Sequence, residues 1–271
     1  MTPIVFANFL APNMTSAYAV VATRVGQRLG RPTELIQGTS LAQLTEGAVD
    51  VAFLCGLPYV RLAATHPRML EPLVAPVVDE PRYRGRPVYF SDVIARRDRP
   101  FRSFADLRGQ AWAHSTEDSF SGCLLTRYHL LQLGESEAFF GRVTYSGRHQ
   151  ASIRQVLDGE VDASAIDSHV LAVERSRNPE LARRLRVVAV FGPSTIPPVV
   201  ATARLGAGLG LAVRDALCQL ELDAGAGALR TRGRIRRYVR VDDRAYDDIR
   251  HKLAAVEGSV PGGYQLARLG T

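Results

Sequence analysis

Short apolar segments alternate with amphipathic segments along most of the chain. Residues 4–9 form the first apolar segment, and residues 17–29 follow with apolar side chains at helical spacing that ends before Gly30 and Pro32. The apolar segments do not alternate with polar residues, which is typical of parallel strands covered on both faces. The pattern therefore predicts an α/β fold. The predicted strands are 4–9, 33–37, 49–54, 88–95, 111–114, 143–145, 161–166, 185–191 and 199–202, and the predicted helices are 17–29, 40–46, 124–133, 152–157, 210–222 and 246–256.

The strand and helix series begins twice, which predicts two lobes that each hold a mostly parallel sheet flanked by helices. The segments around 88–94 and 197–202 are the predicted crossovers. The first lobe would then combine residues 1–88 with 200–271, and the second would consist of residues 89–199. A ligand would bind in the cleft between the lobes, at the carboxyl ends of the strands.

Composition narrows the classes of partner. The chain is 46% hydrophobic and 23% charged, so we expect it to fold rather than stay disordered. Its net charge of +7 favours anionic partners. However, most basic residues lie singly between acids, and the dense cluster at 230–240 contains one aromatic residue, Tyr238. Nucleic-acid binding is therefore not expected.

Cysteine spacing and apolar run length exclude further classes. Cys55, Cys123 and Cys218 lie far apart, so neither a disulfide framework nor a metal site is predicted, and no cofactor is expected. Apolar runs such as 51–54 are far shorter than the ~20 residues of a membrane helix, so no direct membrane insertion is expected. Residues 1–7 do not resemble a secretory leader. We expect a periplasmic or extracytoplasmic protein if a leader was removed, and a cytoplasmic one if Met1 is the native start.

The serine-rich segment 115–123 lies where a predicted strand leads into a helix. Hydroxyl groups and Gly122 at a helix start would present backbone N–H groups, side-chain donors and the positive end of the helix dipole to an oxyanion. The alternative is ordinary helix capping by Ser119 or Ser121. On this segment alone, capping is the favoured interpretation.

Two later strand ends carry titratable groups. His149 would either donate to an anion or lie on a surface turn. The strand at 161–166 is followed by Asp167 and His169. Ser121, His149 and Asp167 would also be the members of a catalytic triad, but the Gly-x-Ser-x-Gly turn is absent, so the triad stays a minor alternative.

These three segments, in this order, resemble the middle lobe of the phosphate, phosphite and phosphonate substrate-binding proteins of ABC transporters. The resemblance covers about residues 3–205 and implies their two-lobe fold, similar to type II periplasmic binding proteins. The similar segments are 47–59, 89–91, 104–109, 119–122, 146–152, 159–168 and 196–198.

The resemblance implies a solute-binding protein, not an enzyme, that closes on a small oxyanion for uptake. A partner permease and a monomeric state are expected. In the family a serine-rich helix start holds the phosphonate oxygens, a histidine after the next strand adds a donor, and two aromatic residues close over the ligand. The ligand-binding residues predicted here are Tyr59, Tyr89, Ser119, Phe120, Ser121, Gly122, His149, Asp167 and His169.

The chain departs from the family pattern at the serine-rich turn and at the positions that recognise an amine. Phe120 replaces the usual threonine, which removes one hydroxyl donor. Members that bind aminoalkyl phosphonates have acids after the third strand and after the crossover proline, whereas here His169 occupies the first position and no acid follows at 196–200. An ammonium group would be buried unpaired, which is costly. The expected ligand is therefore phosphate, phosphite, a simple phosphonate or a related organic anion.

The alternative from another class is a cytoplasmic enzyme on the same scaffold, similar to the menaquinone-pathway enzymes, that acts on a small organic anion. His149 or Cys123 would then do the chemistry, because a thiol at a helix start can have a lowered pKa. A packing role for Cys123 competes with this interpretation. A regulator's effector-binding module is a third class, but the sequence shows no fused DNA-binding or signalling segment.

Overall fold

A computed structural model describes residues 2–222 and 226–259, and it contains two sheets flanked by helices. The end of the first predicted lobe, 260–271, lies outside the described residues. The strands are β1 (Ile4–Asn8), β2 (Thr33–Gln37), β3 (Val51–Phe53), β4 (Leu70–Val78), β5 (Val88–Arg96), β6 (Ala111–His114), β7 (Arg142–Tyr145), β8 (Ala163–Asp167), β9 (Leu185–Thr195), β10 (Val199–Thr202) and β11 (Ile235–Arg240).

Ten α-helices accompany these strands in the described part of the chain. The first, a 15-residue helix, buries Tyr18 against Phe53, with the ring centroids 3.8 Å apart. The helices are α1 (Thr15–Leu29), α2 (Ala42–Thr45), α3 (Gly56–Thr65), α4 (Leu125–Gln132), α5 (His149–Asp158), α6 (Ser168–Arg177), α7 (Glu180–Arg184), α8 (Ala207–Cys218), α9 (Ala226–Gly233) and α10 (Asp247–Gly258).

The first sheet has six strands in the order β11-β4-β10-β3-β1-β2, and the second has five in the order β7-β6-β8-β5-β9. We call the elements around the first sheet lobe one and those around the second sheet lobe two. The chain passes from lobe one to lobe two between Val78 and Val88, and it returns between Thr195 and Val199. Strands from both ends of the chain therefore build the first sheet.

Both sheets are mixed, whereas the sequence predicts mostly parallel sheets. Only three strands of each sheet pair in parallel. In lobe one, β1 pairs in parallel with β2 and β3, and in lobe two β6 does so with β7 and β8. The remaining pairs are antiparallel. Two neighbouring parallel strands are joined by a crossover connection within their own sheet. Strands β5 and β10 instead enter their sheet from the other lobe, so no such connection sets their direction.

The sequence pattern missed two strands, β4 and β11, and four helices, α3, α6, α7 and α9. Pro72 and Pro76 lie within β4 and argue against a strand when no partner is known. Three of the six residues of β11 are arginines, and its buried residues, Ile235 and Tyr238, lie three positions apart, so the strand lacks the period of two that identifies a half-buried strand. Within residues 2–222 and 226–259, no helix combines the length and the apolarity that a membrane span requires.

Candidate functional site

A cavity of about 430 Å³ lies between the two lobes. Its lobe-one wall is formed mainly by the loops that follow β1, β2 and β3, and its lobe-two wall by the loops that follow β6, β7 and β8. These are the parallel strands of each sheet, so the carboxyl edges of the two sheets face each other across the cavity. Ligands of open α/β sheets bind at such edges.

Ser119 caps the helix start that faces the cavity. A π-helical turn, Phe120–Leu124, leads into α4, and the Ser119 hydroxyl accepts a hydrogen bond of 3.0 Å from the N–H group of Gly122. That N–H group is therefore occupied, contrary to its predicted role as a ligand donor. The N–H group of Ser121 lies in the first turn, where no intrahelical acceptor is within reach. Capping by Ser119 leaves the Ser121 side chain for other contacts.

His149, the first residue of α5, lies beside Ser121. Its Nε2 is 3.4 Å from the Ser121 Oγ, and its Nδ1 is buried with no hydrogen-bond partner among the described residues. Burial lowers the pKa of His149 to about 4, so the ring is neutral at pH 7. A neutral imidazole has one donor and one acceptor nitrogen. His149 can therefore accept from Ser121 and still donate to a ligand oxygen.

Ser115 completes this group of donors. It follows β6, is 2% exposed, and its hydroxyl has no partner among the described residues. A Cβ added to Gly122 would lie 2.1 Å from the Ser115 Oγ and 2.9 Å from the His149 Cε1, so only glycine fits between them. The sequence placed Ser115 in the serine-rich segment but did not select it. The missing signal was its contact with Gly122, which only the folded chain shows.

Tyr89 and Phe120 lie behind the site rather than in it. Both side chains are fully buried, their ring centroids are 6.3 Å apart, and neither lines the cavity. The Tyr89 hydroxyl lies near the Ser121 side chain. Burial, followed by the nearby Cys55 and Asp167, raises its pKa. Tyr89 is thus placed to support the cavity from the interior rather than to close over it, and the Phe120 ring belongs to the core.

Tyr59 does not line the cavity, which contradicts its predicted role in covering the ligand. Its hydroxyl donates to Asp243 over 2.5 Å, and its ring packs edge-on against Tyr246 at a centroid distance of 5.1 Å. Cys55 and Pro58, by contrast, line the cavity at the start of α3. Each step along a helix turns the side chain by about 100°, so the residue after Pro58 faces another direction.

Asp167 and His169 both line the cavity but have structural partners. Asp167 caps α6, and its Oδ1 accepts hydrogen bonds from the N–H groups of His169 (2.7 Å) and Val170 (3.1 Å). Burial raises the pKa of Asp167 to about 7. Burial lowers the pKa of His169 to about 4, and its Nε2 lies 2.5 Å from the carbonyl oxygen of Gly233 in lobe one. His169 therefore joins the two lobes.

Charged groups at the cavity have different degrees of pairing. Asp118 of lobe two forms an ion pair with Arg61, which belongs to α3 of lobe one. Arg148 is exposed, lines the cavity and makes no ion pair among the described residues. The Arg61 pair, like the His169 contact, joins the lobes, whereas Arg148 remains available to attract an anion.

The geometry does not support the enzyme alternative. Asp167 caps α6 instead of orienting His149, so the described residues form no Ser-His-Asp triad. Cys123 is fully buried, and burial raises its pKa to about 12, so it stays a neutral thiol at pH 7. In the described part of the chain, no three His, Cys, Asp or Glu residues are grouped to hold a metal, and the three cysteines are free.

Several solved structures share this fold. The binding-protein component of an ABC phosphonate transporter from Pseudomonas aeruginosa is 19% identical, with a TM-score of 0.81 over 100% of this chain and 91% of its own. PhnD1 from Prochlorococcus marinus MIT 9301, in complex with methylphosphonate, is 17% identical, with a TM-score of 0.80 over 92% and 95%. A Xanthomonas citri protein bound to ATP is 18% identical, with a TM-score of 0.70 over 95% and 98%.

A comparison of sequences identifies the family directly. The family of periplasmic substrate-binding proteins of phosphonate ABC transporters matches residues 4–246, which include every strand and nearly every helix described above. Members of this family bind solutes and are not enzymes. The chain therefore belongs to the periplasmic substrate-binding proteins of phosphonate ABC transporters.

Proposed function

We propose that this protein binds a phosphonate, or a related small oxyanion, through lobe-two donors in the cavity between its lobes. The observation that carries the proposal is the pair of unpartnered polar atoms beside Gly122, the Ser115 Oγ and the His149 Nδ1. A buried polar group without a partner costs about 1–3 kcal/mol. A ligand oxygen held between these atoms would remove that cost.

The donor set suits an anion although it carries no formal charge. The hydroxyl of Ser115, the Nδ1 of the neutral His149 ring and the first turn of the helix start at Phe120 all offer hydrogen-bond donors. Helix N-termini carry a partial positive charge that favours phosphate-like groups. The methylphosphonate bound by the Prochlorococcus protein of the same fold supports this choice of ligand class.

Three further proposals follow from the family. The protein works outside the cytoplasm, it delivers its ligand to a permease, and it acts as a monomer.

The contacts of His169 with Gly233 and of Arg61 with Asp118 join the lobes, so opening of the cleft must break them. Hinge motion of this type captures and releases ligands in two-lobe proteins.

Isothermal titration calorimetry tests the proposed function. The panel consists of phosphate, phosphite, methylphosphonate and 2-aminoethylphosphonate, titrated into the unmodified protein and into Ser115→Ala and His149→Ala. We expect saturable binding of at least one anion at one site per chain, weakened in both variants. Absence of binding throughout the panel, or full affinity in both variants, would contradict the proposal.

A further inference from the structure

Among the described residues, the lobe-one wall of the cavity carries no charged side chain. The residues that line it from the described part of lobe one are apolar or neutral, whereas the lobe-two wall contains Asp118, Arg148, His149, Asp167 and His169. Apolar side chains dominate the lobe-one wall, and examples are Phe9, Leu10, Met14, Leu41, Leu54 and Pro58.

We infer that the ligand carries an apolar organic substituent that lies against the lobe-one wall, while its phosphonate group is held by lobe two. The preferred ligands are then phosphonates with several carbons, rather than phosphate, phosphite or aminoalkyl phosphonates. This inference rests on the proposed function and extends it to the substrate class.

The size of the cavity supports a substituent. Pockets of roughly 300–1,000 Å³ usually hold small organic ligands, and this cavity measures about 430 Å³. A phosphonate group is one phosphorus with three oxygens, which leaves most of that space unfilled. A bare oxyanion would leave water against Leu10 and Leu41, whereas an alkyl or aryl group would displace that water and gain from burial.

The chemistry of the lobe-one wall disfavours a cationic substituent. An ammonium group has three donors and needs acceptors or an opposite charge when buried. The acceptors that the lobe-one wall offers are neutral: the hydroxyls of Tyr18, Thr39 and Ser40, and the Cys55 thiol, whose pKa is raised by burial. None of them supplies an opposite charge. Asp167, the buried acid at the cavity, belongs to the opposite wall, where its Oδ1 caps α6. An apolar group meets no such requirement.

A series of phosphonates tests the inference by calorimetry on the unmodified protein. The members are methyl-, propyl-, butyl- and phenylphosphonate, and 3-aminopropylphosphonate is the match of butylphosphonate in size. Burial of one methylene is worth about fourfold in affinity. We expect the affinity to rise about two- to fourfold per methylene, and butylphosphonate to bind at least about tenfold more tightly than its amino counterpart.

Two variants locate the substituent. Leu10→Ala and Leu41→Ala should each weaken butylphosphonate binding about three- to tenfold and leave methylphosphonate binding nearly unchanged, since each truncation removes apolar contact area. Leu29→Ala is the control, because Leu29 is equally half-buried but lies outside the cavity. Unfolding curves of all three variants identify any that fail to fold.

The outcomes separate this inference from the proposed function. Methylphosphonate binding that depends on His149, combined with an affinity that stays flat or falls as the chain lengthens, overturns the inference and leaves the function intact. Tighter binding of 3-aminopropylphosphonate than of butylphosphonate also overturns it. Failure of every phosphonate in the series to bind contradicts the proposed function itself.

Discussion

The two walls of the cavity have the same architecture and opposite chemistry. Each is built from the loops that follow three parallel strands. The lobe-one loops are mostly apolar, with neutral hydroxyls at Thr39 and Ser40, whereas the lobe-two loops carry hydroxyl, imidazole and charged groups. The contrast appears when the residues after β1, Phe9 to Met14, are set beside those after β6, Ser115 to Gly122. The fold supplies two equivalent edges, and the side chains at the strand ends decide which edge binds the anion.

The largest expected effect comes from filling the contact at Gly122. Gly122→Ala should reduce phosphonate affinity by about a hundredfold, because the new methyl group overlaps both Ser115 and His149 and displaces two donors at once, each worth about 1–3 kcal/mol. Calorimetry with methylphosphonate measures the loss. Gly210→Ala is the control, since Gly210 is also helical but has open space around its Cα.

Removal of single lobe-two donors should have the next largest effect. Ser121→Ala and His149→Ala should each weaken anion binding by about 1–3 kcal/mol, because His149 donates a hydrogen bond to the anion and the Ser121 hydroxyl orients its ring. Ser103→Ala, at an exposed residue outside the cavity, should change nothing. If both variants bind the anion as tightly as the unmodified protein does, the claim that the lobe-two wall holds the anion is contradicted.

Asp167 makes lobe two sensitive to pH. Its pKa of about 7 means that the carboxyl group becomes charged as the pH rises through neutrality. A negative charge beside the anion opposes binding, so affinity should fall about two- to tenfold between pH 6 and pH 8. Asp167→Asn should remove the pH dependence of affinity that Asp167 causes. The pH dependence that remains in this variant comes from titration of the ligand. Identical pH profiles of the two proteins would exclude Asp167 from the binding site.

The same group links folding to pH in a direction that can be checked separately. Between about pH 4 and pH 7 the folded protein keeps the proton on Asp167 while the unfolded chain has lost it, so stability falls as the pH rises through this range. Above pH 7 this loss is complete. Asp167→Asn should therefore be more stable than the unmodified protein by about 1–3 kcal/mol at pH 8, with little difference at pH 4, in urea unfolding.

The smallest effect should come from Arg148. It is exposed and unpaired among the described residues, so it attracts anions over a distance rather than holding them. Arg148→Gln should slow association about two- to threefold at low ionic strength and have almost no effect at physiological salt, where the Debye length is about 8 Å. Stopped-flow mixing measures the rate. Arg154→Gln, outside the cavity, is the matched control; an equal slowing there would show that net charge alone acts.

Much of the fold was predictable because the residues adjacent in sequence determine where a strand or a helix ends. The bounds predicted for β2, β6 and β10 agree with the structure. Strands β4 and β11 were missed because they contain prolines or arginines that a sheet tolerates only with particular neighbours. Those neighbouring strands lie far away in sequence, so the local pattern of residues does not identify them.

The site was predictable only as far as strand ends identify it. Five predicted residues line the cavity: Ser119, Ser121, His149 and His169 follow strands of lobe two, and Asp167 is the last residue of β8. The direction of each side chain and the contacts between distant segments could not be predicted from the positions of strand ends. Three results illustrate this limit: Tyr59 faces Asp243, the N–H group of Gly122 is used by a cap, and Ser115 is a donor that only its contact with Gly122 reveals.

A crystal structure with methylphosphonate bound tests the central claim most directly. We predict phosphonate oxygens within roughly 3.2 Å of the Ser115 Oγ, the His149 Nδ1 and the backbone nitrogen of Ser121, with the methyl group toward Leu41. A phosphonate group on the lobe-one wall, or one held at the cavity entrance by Arg148 alone, would contradict it.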